Sequence, residues 1–129
     1  MQPDSKAALV DRLARYDELI EVGVGTRPEV AAALADRGCR VTATDLHDRP
    51  VPSPVRFVRD DVTDPDPSLY AGADAVYALN CPPELQRPLA DAARAAGAEC
   101  LFTTLGADPA VVEATPETLP AGTLFGVTA

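Results

Sequence analysis

The chain has 129 residues and a net charge of −9, from 20 acidic residues against 11 basic ones. That length suits one domain spanning 1–129, and 47% hydrophobic residues exclude a disordered polypeptide. So acidic a surface repels phosphate backbones, which argues against nucleic-acid binding through a basic face.

In chain order, residues 4–16 predict an opening helix with Leu9, Val10, Leu13 and Tyr16 on one face and Asp4 or Ser5 as its cap. Leu19-Ile20-Glu21-Val22-Gly23 predicts a short strand running into glycines. Pro28 then sits where the first turn of a helix would place it, and Val30, Ala31 and Leu34 supply that helix's buried stripe. Gly38 ends it. Val41 to Asp45 is the second strand. Pro50, Pro52 and Pro54 stiffen the connection to the third, Val55 to Val58. Asp60 to Pro67 is an acidic loop. Ala73 to Leu79 is the fourth strand, free of charge after Asp74, as expected where both faces are buried. Leu85, Leu89, Ala92, Ala93 and Ala96 line one face of a helix that Gly97 stops. Cys100 to Thr104 is the fifth strand, and Thr123 to Val127 a sixth at one edge.

Strands alternating with helices predict a three-layer, Rossmann-like α/β fold. Its sheet is expected to be parallel, with five to six strands. In such sheets ligands bind beyond the carboxyl ends of the strands, where strand order reverses. The loops after the first four strands are therefore the ones to read for chemistry.

After the first strand, Gly23 and Gly25 permit a tight turn and a close approach of ligand to backbone. The helix that follows offers unpaired N–H groups at its start. Asp45 ends the second strand, 20 residues after Gly25, where a carboxylate can accept both hydroxyls of a ribose. A solvated loop acid or a cap is the plainer account of it. A dinucleotide turn reads G-x-G-x-x-G/A, but the third small position is Pro28 here. Asn80-Cys81-Pro82-Pro83-Glu84 follows the fourth strand as a rigid turn that borders the same end of the sheet. The single histidine, His47, lies on the ribose side, away from Cys81, so a Cys/His nucleophilic pair is disfavoured.

Glu21-Val22-Gly23-Val24-Gly25 resembles the [D/E]-x-G-x-G turn of S-adenosylmethionine-dependent methyltransferases. That resemblance implies S-adenosylmethionine as cofactor, with Glu21 near its methionine ammonium, Gly23 and Gly25 bordering it and Asp45 on its ribose. It also implies Asp61 at the adenine amino group and Val62 against the ring. The third glycine common in that family is Arg27 here. The turn at Asn80 is similar to the N-P-P-aromatic loop of amino-methylating enzymes, although Cys81 intrudes and Glu84 replaces the aromatic. Amine methylation is therefore not carried over, and Asn80 is kept only as a residue bordering the site. The catalytic residues and the methyl acceptor stay open.

The whole chain resembles a family of small, uncharacterised archaeal proteins with a Rossmann-like, methyltransferase-type fold. The features that carry this are E-V-G-x-G at Glu21, Thr44-Asp45, the run Asp60 to Thr63, and Ala75 to Leu79 leading to Pro82-Pro83-Glu84-Leu85-Gln86. The resemblance implies a protein that binds S-adenosylmethionine or a related adenosine ligand. It leaves open a minimal methyltransferase or a non-catalytic nucleotide-sensing or interaction module, with an NAD-binding protein behind both. Full methyltransferases are usually longer and carry a carboxyl-terminal hairpin. Pro116, Pro120 and Gly122 break the tail here, so the expectation is a cofactor half-site completed by a second copy or a partner.

Cys39, Cys81 and Cys100 are far apart and form no C-x-x-C pair, so neither a disulfide framework nor a zinc site is expected. Lys6 is the only lysine, and an acid-rich, lysine-poor composition resembles proteins of salt-loving cytoplasms, where screening relieves self-repulsion. No apolar run approaches the roughly 18 residues that span a bilayer, and the first residues lack the layout of a signal peptide. The expected location is cytoplasmic.

Overall fold

A computed structural model describes residues 3–120 and 122–128, with side chains described from residue 6 onward. The proposed caps Asp4 and Ser5 fall on side chains outside the described residues. Seven strands form one sheet: β1 (Glu18–Val22), β2 (Arg40–Asp45), β3 (Arg56–Arg59), β4 (Ala75–Ala78), β5 (Glu99–Phe102), β6 (Ala114–Leu119) and β7 (Gly122–Val127). Among the described residues the helices are α1 (Pro3–Leu13), α2 (Glu29–Asp36), the single turn α3 (Pro67–Tyr70) and α4 (Pro83–Ala96). The strand order is β3-β2-β1-β4-β5-β7-β6. The first five strands pair in parallel, and β7 joins β5 and β6 antiparallel.

Alternation along the strands divides the core into two layers. Leu19, Tyr77 and Leu101 face α1 and α2, where they meet Val10, Leu13 and Leu34. Ile20, Val76 and Phe102 face the other way, toward Tyr70 of α3 and Leu89 of α4. Strand order runs outward from β1 to β3 in one direction and from β4 to β5 in the other. Right-handed crossovers then put α2 and α4 on opposite faces of the sheet. β4 is buried at all four positions, which accounts for its uncharged sequence. α4 ends at Gly97, whose φ of 70° is the left-handed conformation that lets the last carbonyls find donors. α2 ends in the same manner at Gly38.

Several expectations need correction. The opening helix stops at Leu13, so Tyr16 lies beyond it. Pro28 is the N-cap of α2 rather than part of its first turn. The sheet has more strands than five to six and is mixed rather than parallel. The expected sixth strand lies inside the sheet, because β6 covers its outer edge. Pro116 sits within β6, opposite Phe125; on an edge strand its missing N–H can face away from the ladder, so it does not break pairing. Phe125 stacks on Phe102 at 5.4 Å between ring centroids, a contact worth about 0.5–1.5 kcal/mol beyond its area. The carboxyl-terminal hairpin expected to be missing is therefore present. It is braced against α1 by the Arg12–Glu117 ion pair, at 2.9 Å.

Candidate active site at the carboxyl ends of the strands

Strand order reverses between β1 and β4, and both strands end beside one another. Gly23 and Gly25 follow β1 with φ of 73° and 58°, and a side chain added at either would meet nothing within 4 Å. Sterics favour glycine at these angles, and the space above the turn is open. The turn is pinned to the next strand by the Gly23 and Val24 N–H groups, which both donate to the Thr44 carbonyl, at 2.9 and 3.0 Å.

Asp45 ends β2 and reaches back to the same turn. The Gly25 N–H donates to its Oδ2 at 2.9 Å, and the His47 N–H to its Oδ1 at 3.1 Å. Arg49 Nε stands 3.4 Å from Oδ1, close enough for charge attraction but without hydrogen-bond geometry. Burial pushes this carboxyl up, but the His47 and Gly25 N–H groups and the Arg49 charge outweigh it, so Asp45 ionises below the usual range.

Gly23, Val62 and Asn80 line one cavity of about 210 Å³, which Leu85 and Leu89 of α4 close from below. Asn80 is the one described residue other than glycine with positive φ, at 53°, a conformation asparagine tolerates best among such residues. Its N–H donates to the Thr103 hydroxyl at 2.8 Å, and the next N–H, of Cys81, donates to the Thr103 carbonyl at 2.7 Å. Thr103, just beyond β5, thus fixes the turn after β4. Sequence reasoning missed it, because nothing in a lone threonine marks a long-range clamp.

Glu21 and Asp61 stand apart from that cavity. Glu21 is 2% exposed and sits opposite Tyr77 in the β1–β4 register, where the Tyr77 hydroxyl donates to its Oε1 at 2.7 Å. Burial pushes the Glu21 carboxyl up to about 7; Tyr77 opposes this, and the negative charge of Glu29 adds to it. Tyr77 was also missed, though a tyrosine in a fully buried strand requires a partner for its hydroxyl. Asp61 is exposed and turns back on its own loop, accepting from the Thr63 hydroxyl at 2.7 Å and N–H at 2.9 Å. Those two bonds hold its carboxyl below the ordinary range. Val62 points inward beside it and is buried. Leu46, next to Asp45, is 56% exposed, an apolar side chain at the candidate site that sequence reading passed over.

Cys81 and Cys100 are buried free thiols, poorly placed to act as nucleophiles. Burial pushes the Cys81 thiol up to about 11 and Cys100 up to about 12. Among the described residues, no group of three or more His, Cys, Asp or Glu side chains could hold a metal, and no helix is long and apolar enough to cross a membrane.

The uncharacterised protein family UPF0146 matches residues 4–126. The chain belongs to this family. A UPF0146 protein of Halobacterium salinarum is 57% identical over 125 residues, covering 96% of this chain and 95% of the relative. One from Archaeoglobus fulgidus is 43% identical over 91 residues, 70% of each chain. Among solved structures, the UPF0146 chain is similar to a Burkholderia thailandensis 1,6-didemethyltoxoflavin-N1-methyltransferase with bound S-adenosylhomocysteine, at a TM-score of 0.58 and 22% identity. That match covers 97% of this chain and 60% of the enzyme. The sugar N-methyltransferase KedS8 of Streptoalloteichus matches at a TM-score of 0.57 and 19% identity, over 88% of this chain and 53% of that one. A putative zinc-dependent alcohol dehydrogenase from Rhodobacter sphaeroides matches at 0.59 and 19%, over 81% and 48%. The chain thus spans about half to three fifths of the length of these structures. These likenesses show the fold alone, a Rossmann-like one that methyltransferases and a dehydrogenase share. Overall shape does not separate the methyltransferases from the dehydrogenase, since the scores are nearly equal; the choice of ligand falls to the residues at the site.

Proposed function

We propose that this chain is one Rossmann-like domain over 1–129 that binds S-adenosylmethionine or a closely related adenosine ligand at the ends of β1, β2 and β4. The observation that carries the reading is the ionised Asp45 carboxylate held against the Gly25 N–H at 2.9 Å, beside an open glycine turn. A carboxylate has about four acceptor positions. The Gly25 and His47 N–H groups take two of them, leaving two for the hydroxyls of a ribose. Leu46 and Val62 offer apolar surface for the base, Asp61 keeps Oδ2 for the adenine amino group, and Gly23 and Asn80 bound the space for the remainder. Glu21 acts through charge: a ligand ammonium nearby favours the ionised form of its buried carboxyl.

Against a dinucleotide stand two residues. Pro28 caps α2 with no N–H to give a pyrophosphate, and Glu29 puts a negative charge in the first helical turn. The dinucleotide order of parallel strands is 3-2-1-4-5-6, whereas here an antiparallel strand is inserted between β5 and β6.

The fuller form of this reading is a minimal methyltransferase. One observation favours the alternative, a non-catalytic nucleotide-sensing module: among the described residues, the space beyond Asn80 is lined mainly by threonines and leucines, with no ionisable group to take a proton. Thermal unfolding at molar KCl with S-adenosylmethionine, S-adenosylhomocysteine, NAD and ATP tests the ligand assignment. An adenosine ligand at 100 times its Kd stabilises the protein by about 2.7 kcal/mol. An unmoved transition with both sulfur ligands contradicts the proposal.

A further inference from the structure

A second cavity, of about 270 Å³, lies on the α1 side of the sheet, between Leu9 of α1, the ends of β4 and β5, and the β6–β7 hairpin. Leu79 and Asn80 line it and also the cavity at Gly23, so one short turn separates the two. Its apolar walls include Leu9, Leu119 and Leu124, and its polar groups are the Asn80 amide and the hydroxyls of Thr103, Thr104 and Thr123. Among the described residues no charged side chain lines it, although the chain carries 20 acidic residues.

We propose that this cavity is a binding site for a small, uncharged molecule with an apolar body and a hydrogen-bonding edge. The polar groups are positioned for this. The Thr103 oxygen accepts the Asn80 N–H, so its own hydroxyl proton is left to donate, and it meets no acceptor among the described residues. The left-handed backbone of Asn80 holds its amide, both donor and acceptor, at the boundary of the two cavities. A charged ligand here gives up part of its hydration and finds no countercharge among the described residues, a cost in a half-open, part-apolar site. The volume lies just below the roughly 300–1,000 Å³ that house drug-sized ligands, so the molecule is small. The Arg12–Glu117 pair fixes α1 against β6, which keeps the Leu9 and hairpin walls together. Occupancy stands on this cavity alone; its role as the place of the methyl acceptor rests on the adenosine reading of the neighbouring site.

Three probes of like shape and different charge test the site: benzamide, benzoate and benzylammonium. Each is titrated into isotope-labelled protein in molar KCl while backbone amide NMR signals are followed. S-adenosylhomocysteine is titrated separately. Benzamide is expected to shift the signals of Thr103, Thr104 and Thr123, with both charged probes at least tenfold weaker. Thr123→Phe fills the cavity and should abolish the benzamide shifts. Thr103→Val removes the hydroxyl at nearly constant volume and should weaken binding severalfold, and it carries the test if the larger substitution unfolds the protein. No shift with benzamide up to about 10 mM, equal binding of the charged probes, or binding unchanged in a folded variant overturns the proposal. Benzamide bound without S-adenosylhomocysteine would sustain this site and sink the adenosine reading; the reverse would do the opposite.

Discussion

Glu21 is the residue whose chemistry departs furthest from its sequence context. Its motif position implies an ionised acid beside a ligand, yet it is buried against Tyr77 with its carboxyl pushed up to about 7 from 4.5. Between those values the folded protein holds a proton that the unfolded chain has released. Stability therefore falls as pH rises through that window, by on the order of 3 kcal/mol if the full shift is expressed. Glu21→Gln keeps an acceptor for Tyr77 and removes the titration. Denaturant unfolding should show the variant gaining on the native protein from about pH 5 to pH 8, with little difference at the acid end. A gap that stays constant with pH means that Glu21 does not titrate in the folded state. The motif was legible here and the burial was not, because the partner lies 56 residues away on another strand.

At the scale of elements, Gln86 shows how the carboxyl-terminal hairpin is held. It is fully buried in α4, accepts the Val111 N–H at 2.6 Å and donates to the Pro109 carbonyl at 2.9 Å. Both bonds hold the chain between β5 and β6, and thereby the hairpin's approach. Gln86→Leu fills the same space but strands both backbone groups, so it should cost about 1–3 kcal/mol for each group left unsatisfied. Hydrogen exchange should quicken at Val111 before it does in β4. Equal protection in variant and native protein would mean that the clamp is dispensable. The parallel half of the sheet was readable in advance, since β1 and β4 are short, mostly apolar runs and β2 is rich in β-branched residues, Val41, Thr42 and Thr44. The hairpin was not. Its outer strand has the burial pattern of an edge, with half its residues exposed, and Pro116 and Gly122 read as breakers. Only pairing with β7 turns that segment into a strand, and pairing is a long-range property. The same holds for the second cavity, whose walls come from α1, the ends of β4 and β5, and both strands of the hairpin. Asp45 and the glycine turn were legible because they belong to one local strand–turn–helix unit and the strand next to it.

Over the whole molecule, the acidic excess predicts salt dependence. With a net charge of −9, repulsion between surface carboxylates is felt over about 30 Å at 0.01 M salt and about 3 Å at 1 M. Among the described residues only a few arginines pair with acids, as at Arg37–Asp11 and Arg40–Glu18, and such exposed pairs contribute little. The melting temperature should therefore climb with KCl toward molar concentrations, measured by calorimetry or fluorescence. A flat or falling curve would show that the acids are already compensated within the fold. On the proposed function, the carboxyl ends of β1, β2 and β4 hold an adenosine ligand through Asp45. Titration calorimetry at high salt tests it most directly, comparing S-adenosylhomocysteine with NAD on the native protein and on Asp45→Ala. The account predicts that S-adenosylhomocysteine binds more tightly than NAD, and that the substitution costs about 1.5–3 kcal/mol, roughly 10- to 150-fold in Kd. NAD binding as tightly or better, or unchanged affinity in Asp45→Ala, would contradict it.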